Sequence, residues 1–256
     1  MRISSTRIVF ILGRNILRMF SHPLLLAGAF LAAVISGTTG FGGALLLLPL
    51  LNGVVGVTAA IPLLTLAQIV GNMSRVGFGW RQIQWRPIAY FLAGAIVCAV
   101  LGALSFVTLP KQFVVRCIGG AILVFVGLSF FKKLRFRPSG PLLVAGGGVT
   151  GFISGLVGSA GPLGAAIFLG LKLPPLAYVA SEAVTALAMH AVKMIVYQRS
   201  LSLDRGVWLL ALQLGIAMVA GTWVGQRVIA RLPPERFRAF VALLLVLVAL
   251  SMLIFG

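Results

Sequence analysis

Chemistry has few places to sit in this chain. Its 256 residues include 3 acids (Glu182, Asp204 and Glu235) and 2 histidines against 21 basic residues, and 60% are hydrophobic. The residue types with the most to offer are small. Ser36, Gly37, Thr38, Thr39, Gly40, Gly42 and Gly43 cluster inside the apolar run from Leu24 to Leu51. Each glycine costs a helix roughly 1 kcal/mol relative to alanine, so such a cluster is suited to opening a helix rather than continuing it. Backbone that leaves a helix in lipid has to be buried in protein or line a polar cavity. The break frees N–H groups at the start of the second half-helix, where the dipole end is positive. The hydroxyls of Ser36, Thr38 and Thr39 add donors there. That combination binds an anion without a full buried charge. The pattern returns 118 positions later, from Ser36 to Ser154, as Ser154, Gly155, Gly158, Ser159 and Gly161. Two such helix starts would form one substrate site near the membrane midplane. The competing explanation is small-residue packing, because glycine also lets helices approach closely.

Three further polar residues fall within apolar runs. Glu182 is the one acid expected inside the hydrocarbon, where carboxyls are costly and read as functional by default. His190 follows on the same segment, and Asn72 is its counterpart at the same offset of 118. Proton coupling or pore lining is the role expected of these three; interhelical hydrogen bonding is the bland alternative. A carboxyl held away from water is able to exchange a proton near neutral pH. Lys193 is expected to snorkel to the membrane surface, and Trp80, Trp85 and Tyr90 to form an interfacial belt.

The elements that must position these residues are membrane helices. A mean hydropathy of +1.12 with 9% charged residues describes an all-α polytopic membrane protein. Eight apolar segments are expected: Leu24 to Leu51, Val54 to Met73, Pro87 to Val107, Phe113 to Phe131, Leu142 to Leu171, Leu176 to Tyr197, Val207 to Ile229 and Phe237 to Phe255. The domain plan is a basic anchor over 1–23, a four-helix repeat over 24–131, a basic Pro/Gly linker over 132–141, and a second four-helix repeat over 142–256. The first helix of each repeat is the Gly-broken one. Duplication is supported by Arg75 with Lys193, Arg81 with Arg199, and the matching spacing of Gly102 and Gly225 to Leu109-Pro110 and Leu232-Pro233.

The net charge of +18 points to anionic lipids and a small anionic substrate as partners. It does not point to nucleic acid, since basic residues lie in short clusters between apolar runs. With eight crossings and a cytoplasmic N-terminus, 14 of the 21 basic residues face inside: Arg2, Arg7, Arg14, Arg18, Arg75, Arg81, Arg86, Lys132, Lys133, Arg135, Arg137, Lys193, Arg199 and Arg205. This bias selects parallel halves with both termini cytoplasmic. Were each Gly-broken segment to cross twice, the repeats would be inverted and the 21 would divide 9 against 12. The first segment runs 28 residues from Leu24 to Leu51. As a straight helix it would be about 42 Å long, too long for a simple span, so a broken or partly re-entrant one is expected.

Catalysis finds little support. The sequence lacks His-Glu-x-x-His, Gly-x-Ser-x-Gly and Walker motifs, and two histidines with three acids make a metal or haem site hard to assemble. Cys98 and Cys117 read as apolar packing residues. No cofactor, no metal and no enzyme activity are expected.

Ser-Gly-x-x-Gly-x-Gly-Gly at Ser36–Gly43, its mid-chain echo at Ser154, and the 4+4 layout together resemble the TauE/SafE family. Its members are sulfite-exporter-like and toluene-sulfonate-uptake-like permeases. The likeness runs from about Leu24 to the end of the chain. It departs from the family pattern at Gly42-Gly43-Ala44, where a third glycine is usual, and at Ala160-Gly161-Pro162. The resemblance implies a secondary permease of a prokaryotic plasma (inner) membrane, carrying a small sulfur-containing anion such as sulfite, a sulfonate or sulfoacetate. The alternatives are a passive anion channel, and a membrane enzyme or redox carrier.

Overall fold

The computed structural model describes residues 23–55, 57–104, 139–157, 161–197 and 205–255, with 116, 119–120, 122–124 and 126–127 from the segment between. The basic anchor up to residue 22, most of the linker, and most of the fourth apolar segment with Cys117 lie outside the described residues. The described regular structure is all helical. In chain order it is α1 (Pro23–Thr39), α2 (Gly43–Val55), α3 (Val57–Gly79), a 3-10 turn at Trp80–Gln82, α4 (Trp85–Leu104), α5 (Gly140–Val157), α6 (Gly161–Gly170), α7 (Pro175–Tyr197), α8 (Arg205–Ile229) and α9 (Pro234–Phe255).

Four stretches, in α4, α7, α8 and α9, are long and apolar enough to cross a membrane: Trp85–Gly102, Pro175–Val192, Trp208–Ile229 and Pro234–Ile254. Their outward faces are greasy. Leu212, Ile216, Leu243 and Ile254 are each more than half exposed, a surface that only lipid or another apolar body would cover favourably. At 23 residues α3 has a similar length, about 34 Å, but its interior carries Gln68, Asn72 and Arg75. α1, α2, α5 and α6 are shorter apolar helices.

Each Gly-broken segment folds back as a hairpin. A Cβ added at Gly28 would strike the Leu50 side chain, and one at Gly146 that of Ile167. The start of α1 therefore lies beside the end of α2, and α5 returns along α6 in the same way. The first turn is made by Gly40 and Gly42, at φ +83° and +93°, a left-handed backbone that side-chain-bearing residues rarely adopt. The Gly40 N–H donates to the Ser36 carbonyl at 2.8 Å, which is the αL cap that ends a helix.

Hairpins change the topology. α3 and α7 run antiparallel: Gly79 meets Ala180, whereas Arg75, four residues earlier, meets Glu182. α1 runs with α8, since Gly221 lies on the Phe30 carbonyl and Gly225 on the Val34 carbonyl. α4 runs with α5, since Gly147 lies on the Phe91 carbonyl and Gly151 on that of Ala95. The contact of Gly225 with Val34 is the repeat image of Gly102 with Phe152, again offset by 118 from 34 to 152. The fourth helix of each half (α4, α8) thus packs on the first helix of the other (α5, α1), and with α3 antiparallel to α7 the halves are inverted rather than parallel. The parallel expectation rested on counting Arg75 as a loop cation and each broken segment as one crossing. Arg75 is instead 3% exposed inside the bundle, and loop charge no longer favours one face.

Two cores result. One is built by Leu25, Ala29 and Ala33 of α1, Leu47 and Leu51 of α2, Leu63 of α3, and Leu214 and Met218 of α8. The other gathers Phe91, Phe168, Tyr178 and Phe237 around α6. Each core encloses one hairpin, and α3 against α7 forms the seam between them. Trp80 and Trp85 stand at the end of α3, exposed, with ring centroids 5.3 Å apart.

The inverted arrangement predicts that single cysteines at Gln82 and Lys172 are labelled by an impermeant thiol reagent from the same side, and one at Gly53 from the other. Parallel halves would put Gln82 and Lys172 on opposite faces.

Candidate functional site

The tips of the two hairpins meet, with Gly161 in van der Waals reach of Phe41. Between them lies a cavity of about 40 Å³ lined by Ser36, Gly40, Phe41, Gly42, Gly43 and Ala44 of the first tip and by Ser154, Gly161 and Pro162 of the second. Gln68, Asn72 and Arg75 of α3 and Glu182, Ala186, Met189 and His190 of α7 complete its wall. α2 begins at Gly43 and α6 at Gly161, so both helices start at the cavity. The first-turn N–H groups of a helix lack intrahelical acceptors and carry the positive dipole end.

Arg75 organises one side. Its Nη1 donates to the Gly40 carbonyl, to the Ser36 carbonyl at 3.3 Å and to Glu182 Oε2 at 3.1 Å, while Nη2 donates to Asn72 Oδ1. The Arg75 carbonyl accepts from Gln226 Nε2 at 3.1 Å, tying α3 to α8. The ion pair is buried on both sides. The guanidinium thus finishes the C-terminus of α1, where unpaired carbonyls and the negative dipole end favour a cation. Glu182 neutralises it. Tyr178, one turn before Glu182, donates its hydroxyl to the Ala165 carbonyl of α6 at 3.1 Å and presses its ring toward Gly40, where a Cβ would approach it to 3.0 Å.

Of the residues singled out from sequence, the cavity brings together Ser36, Gly40, Gly42, Gly43, Ser154, Gly161, Asn72, Glu182 and His190. Gly37 lies elsewhere, against the backbone of Thr222 and Gly225 on α8. The Thr38 and Thr39 hydroxyls fold back to the Ile35 carbonyl at 2.7 and 2.8 Å, the local bonding these residues favour at helix ends. Gly155 is buried in α5 outside the lining. Gly158, Ser159 and the Lys193 side chain lie outside the described residues. Gln68, Arg75 and Met189 are among the lining residues that escaped the sequence reading. For the first two a signal existed. Gln68, Asn72 and Arg75 stand at i, i+4 and i+7, on one face of a helix in an apolar stretch.

A many-helix apolar bundle with a buried polar cavity at two helix starts defines a polytopic membrane protein built around an internal site. Residues 25–252 match the family described as Sulfite exporter TauE/SafE. The chain belongs to that family and is a membrane transporter. A curated relative, the Probable inner membrane transporter protein TsaS of Comamonas testosteroni, is 26% identical over 201 residues, 74% of this chain and 81% of the relative. No solved structure matches the chain.

Removing one member of a buried ion pair costs about 3–5 kcal/mol, whereas removing both costs far less. Arg75→Leu is therefore expected to lower the thermal midpoint in detergent by more than the double variant Arg75→Leu/Glu182→Leu does. The double variant stays below wild type, because the α1 carbonyls have lost their donor. Fluorescence-detected unfolding of the purified proteins checks the order.

Proposed function

We propose that the chain is a secondary permease for a small sulfur-containing anion such as sulfite, a sulfonate or sulfoacetate. The observation that carries this reading is the convergence of the starts of α2 and α6, with Ser36 and Ser154, on one buried cavity. Partial positive charge from two helix ends attracts an anion where a bare cation in hydrocarbon would be costly. Membership of the Sulfite exporter TauE/SafE family supports the substrate class, and the relative's name as a probable inner membrane transporter supports a prokaryotic plasma-membrane location. Both termini belong on the cytoplasmic face in this reading, where Arg2, Arg7, Arg14 and Arg18 meet anionic lipid. Counterflow in liposomes with sulfite, sulfate, thiosulfate, taurine, sulfoacetate and simple carboxylates tests it. Exchange of at least one sulfur oxyanion is expected, and uphill movement under an imposed ion gradient separates a carrier from a channel. Among the described residues a Cβ at Gly161 meets only Phe41, at 3.8 Å, so Gly161→Leu is expected to fill the cavity without a clash against their backbone. That variant is expected to insert and fold yet lose at least about 90% of exchange. Normal exchange would return the glycines to a packing role.

Glu182 is the coupling group in this reading. An anion drawn to Arg75 competes with the Glu182 carboxylate, and a proton on Glu182 removes the competitor. One proton then accompanies each monovalent anion, offsetting a membrane potential that opposes uptake by about 2.3 kcal/mol per charge per 100 mV. Glu182→Gln is expected to keep counterflow and to lose accumulation driven by an inward proton gradient. Concentrative uptake by that variant would make Glu182 structural.

A further inference from the structure

The most demanding observation is on α3. Among the described residues, Gln68 Nε2, Asn72 Nδ2 and Arg75 Nε are buried donors with no hydrogen-bond acceptor. The three side chains are 4%, 0% and 3% exposed, and all three line the same cavity. An unmet buried donor costs about 1–3 kcal/mol, more when it is charged. Native proteins leave few of them unexplained. The orientation of the Asn72 amide follows from Arg75, which donates to its Oδ1 and leaves Nδ2 as the free end. Gln68 Nε2 faces the start of α2, where a Cβ on Gly43 would come within 3.1 Å of it.

We propose that Gln68, Asn72 and Arg75 form a row of donors that reads the three oxygens of a sulfite or sulfonate head group and separates it from a carboxylate. The proposal rests on the permease reading above and names the side chains that give that site its selectivity. The backbone part of the site is two-fold: Ser36 repeats as Ser154 and Gly43 as Gly161, each offset by 118. The row is not. The same offset takes Gln68 to Ala186 and Asn72 to His190, so the amide donors come from one half alone. Size agrees with charge. A cavity of about 40 Å³ has the room of about three waters, enough for a compact three-oxygen head group. A planar carboxylate offers two oxygens to three donors, so two N–H groups must share one oxygen with poorer geometry, and sites built to hydrogen-bond a group discriminate against ligands that lack it.

Methanesulfonate and acetate share a methyl group and a single negative charge but carry three oxygens and two, and equilibrium binding of each to the full-length protein in nanodiscs makes the test. Wild type is expected to prefer methanesulfonate by at least about tenfold. In Gln68→Leu and Asn72→Leu, methanesulfonate binding falls at least about tenfold and acetate binding less than about threefold, so the preference collapses. Should either leucine variant fail to fold, Gln68→Glu and Asn72→Asp keep the shape, replace a donor with a negative acceptor, and are expected to abolish methanesulfonate binding. Equal binding of the two anions by wild type, or an undiminished preference in folded variants, overturns the row while the permease reading stands. Absence of binding and exchange for both methanesulfonate and sulfite in wild type overturns that reading and the row with it.

Discussion

A buried guanidinium holds the centre of this molecule together. Arg75 reaches from α3 to the turn at Gly40, to the last carbonyls of α1, to Asn72 and across the seam to Glu182. Remove it and three things lose their partner at once: the C-terminus of α1, the carboxylate of α7 and the amide of Asn72. None of them opens to bulk solvent, since Glu182 is 2% exposed and Asn72 not at all. Charge in a low-dielectric interior persists only when paired and hydrogen-bonded. The pairing also fixes geometry, because it joins the first hairpin, which sits in one apolar core, to α7, which belongs to the other. The two cores touch elsewhere mainly through apolar surface, which is non-directional; this contact sets register.

Inversion of the halves explains how two helix starts come to face each other. A hairpin entering from one surface carries the start of its return helix toward the middle. An inverted copy brings a second start from the opposite surface. Parallel copies would place the two tips at the same depth and pointing the same way, side by side rather than opposed. The close backbone packing that locks the hairpins in place follows the same symmetry, with Gly102 on Phe152 and Gly225 on Val34. Any side chain at those glycines would push the helices apart, which is why both positions are bare.

Much of this was legible in the sequence, and the limits are physical. Helicity, membrane class and the two breaks follow from composition and from glycines spaced 118 apart, because lipid leaves the backbone few options. Ser36, Gly43, Ser154, Gly161, Asn72, Glu182 and His190 were read as site residues and line one cavity. Thr38 and Thr39 were not separable from Ser36 by type. All three hydroxyls turn back on their own helix, Ser36 Oγ donating to the Ala33 carbonyl at 3.3 Å; which of them also borders the cavity depends on where the turn begins, and Gly40 sets that point. The hairpins were illegible because a break in a helix says that the chain bends and not by how much; the contacts of Gly28 with Leu50 and of Gly146 with Ile167 are tertiary. Arg75 was misplaced for a related reason. A cation near the end of an apolar run looks like a surface anchor until a buried acid faces it, and Glu182 lies 107 residues away.

Strength of binding is the remaining constraint, and the ion pair bears on it directly. Two opposite unit charges 4 Å apart attract by about 4 kcal/mol at an effective dielectric constant near 20. A bare Arg75 facing an anion would hold it at that level or above, and a carrier has to let go. With Glu182 at 3.1 Å, most of the guanidinium's charge is already met. What is left to the cavity is dipolar: two helix starts, each contributing about 0.3–2 kcal/mol toward an anion, and neutral amide donors worth about 1.5–3 kcal/mol apiece toward a charged partner. Such terms are short-ranged and directional, so they distinguish shapes without trapping charge. In the permease reading a proton on Glu182 strengthens the hold on the anion, and its loss returns the carboxylate to Arg75 and leaves the site weak enough to turn over. Selectivity passes from net charge, which any anion satisfies, to the count and placement of donors on Gln68, Asn72 and Arg75.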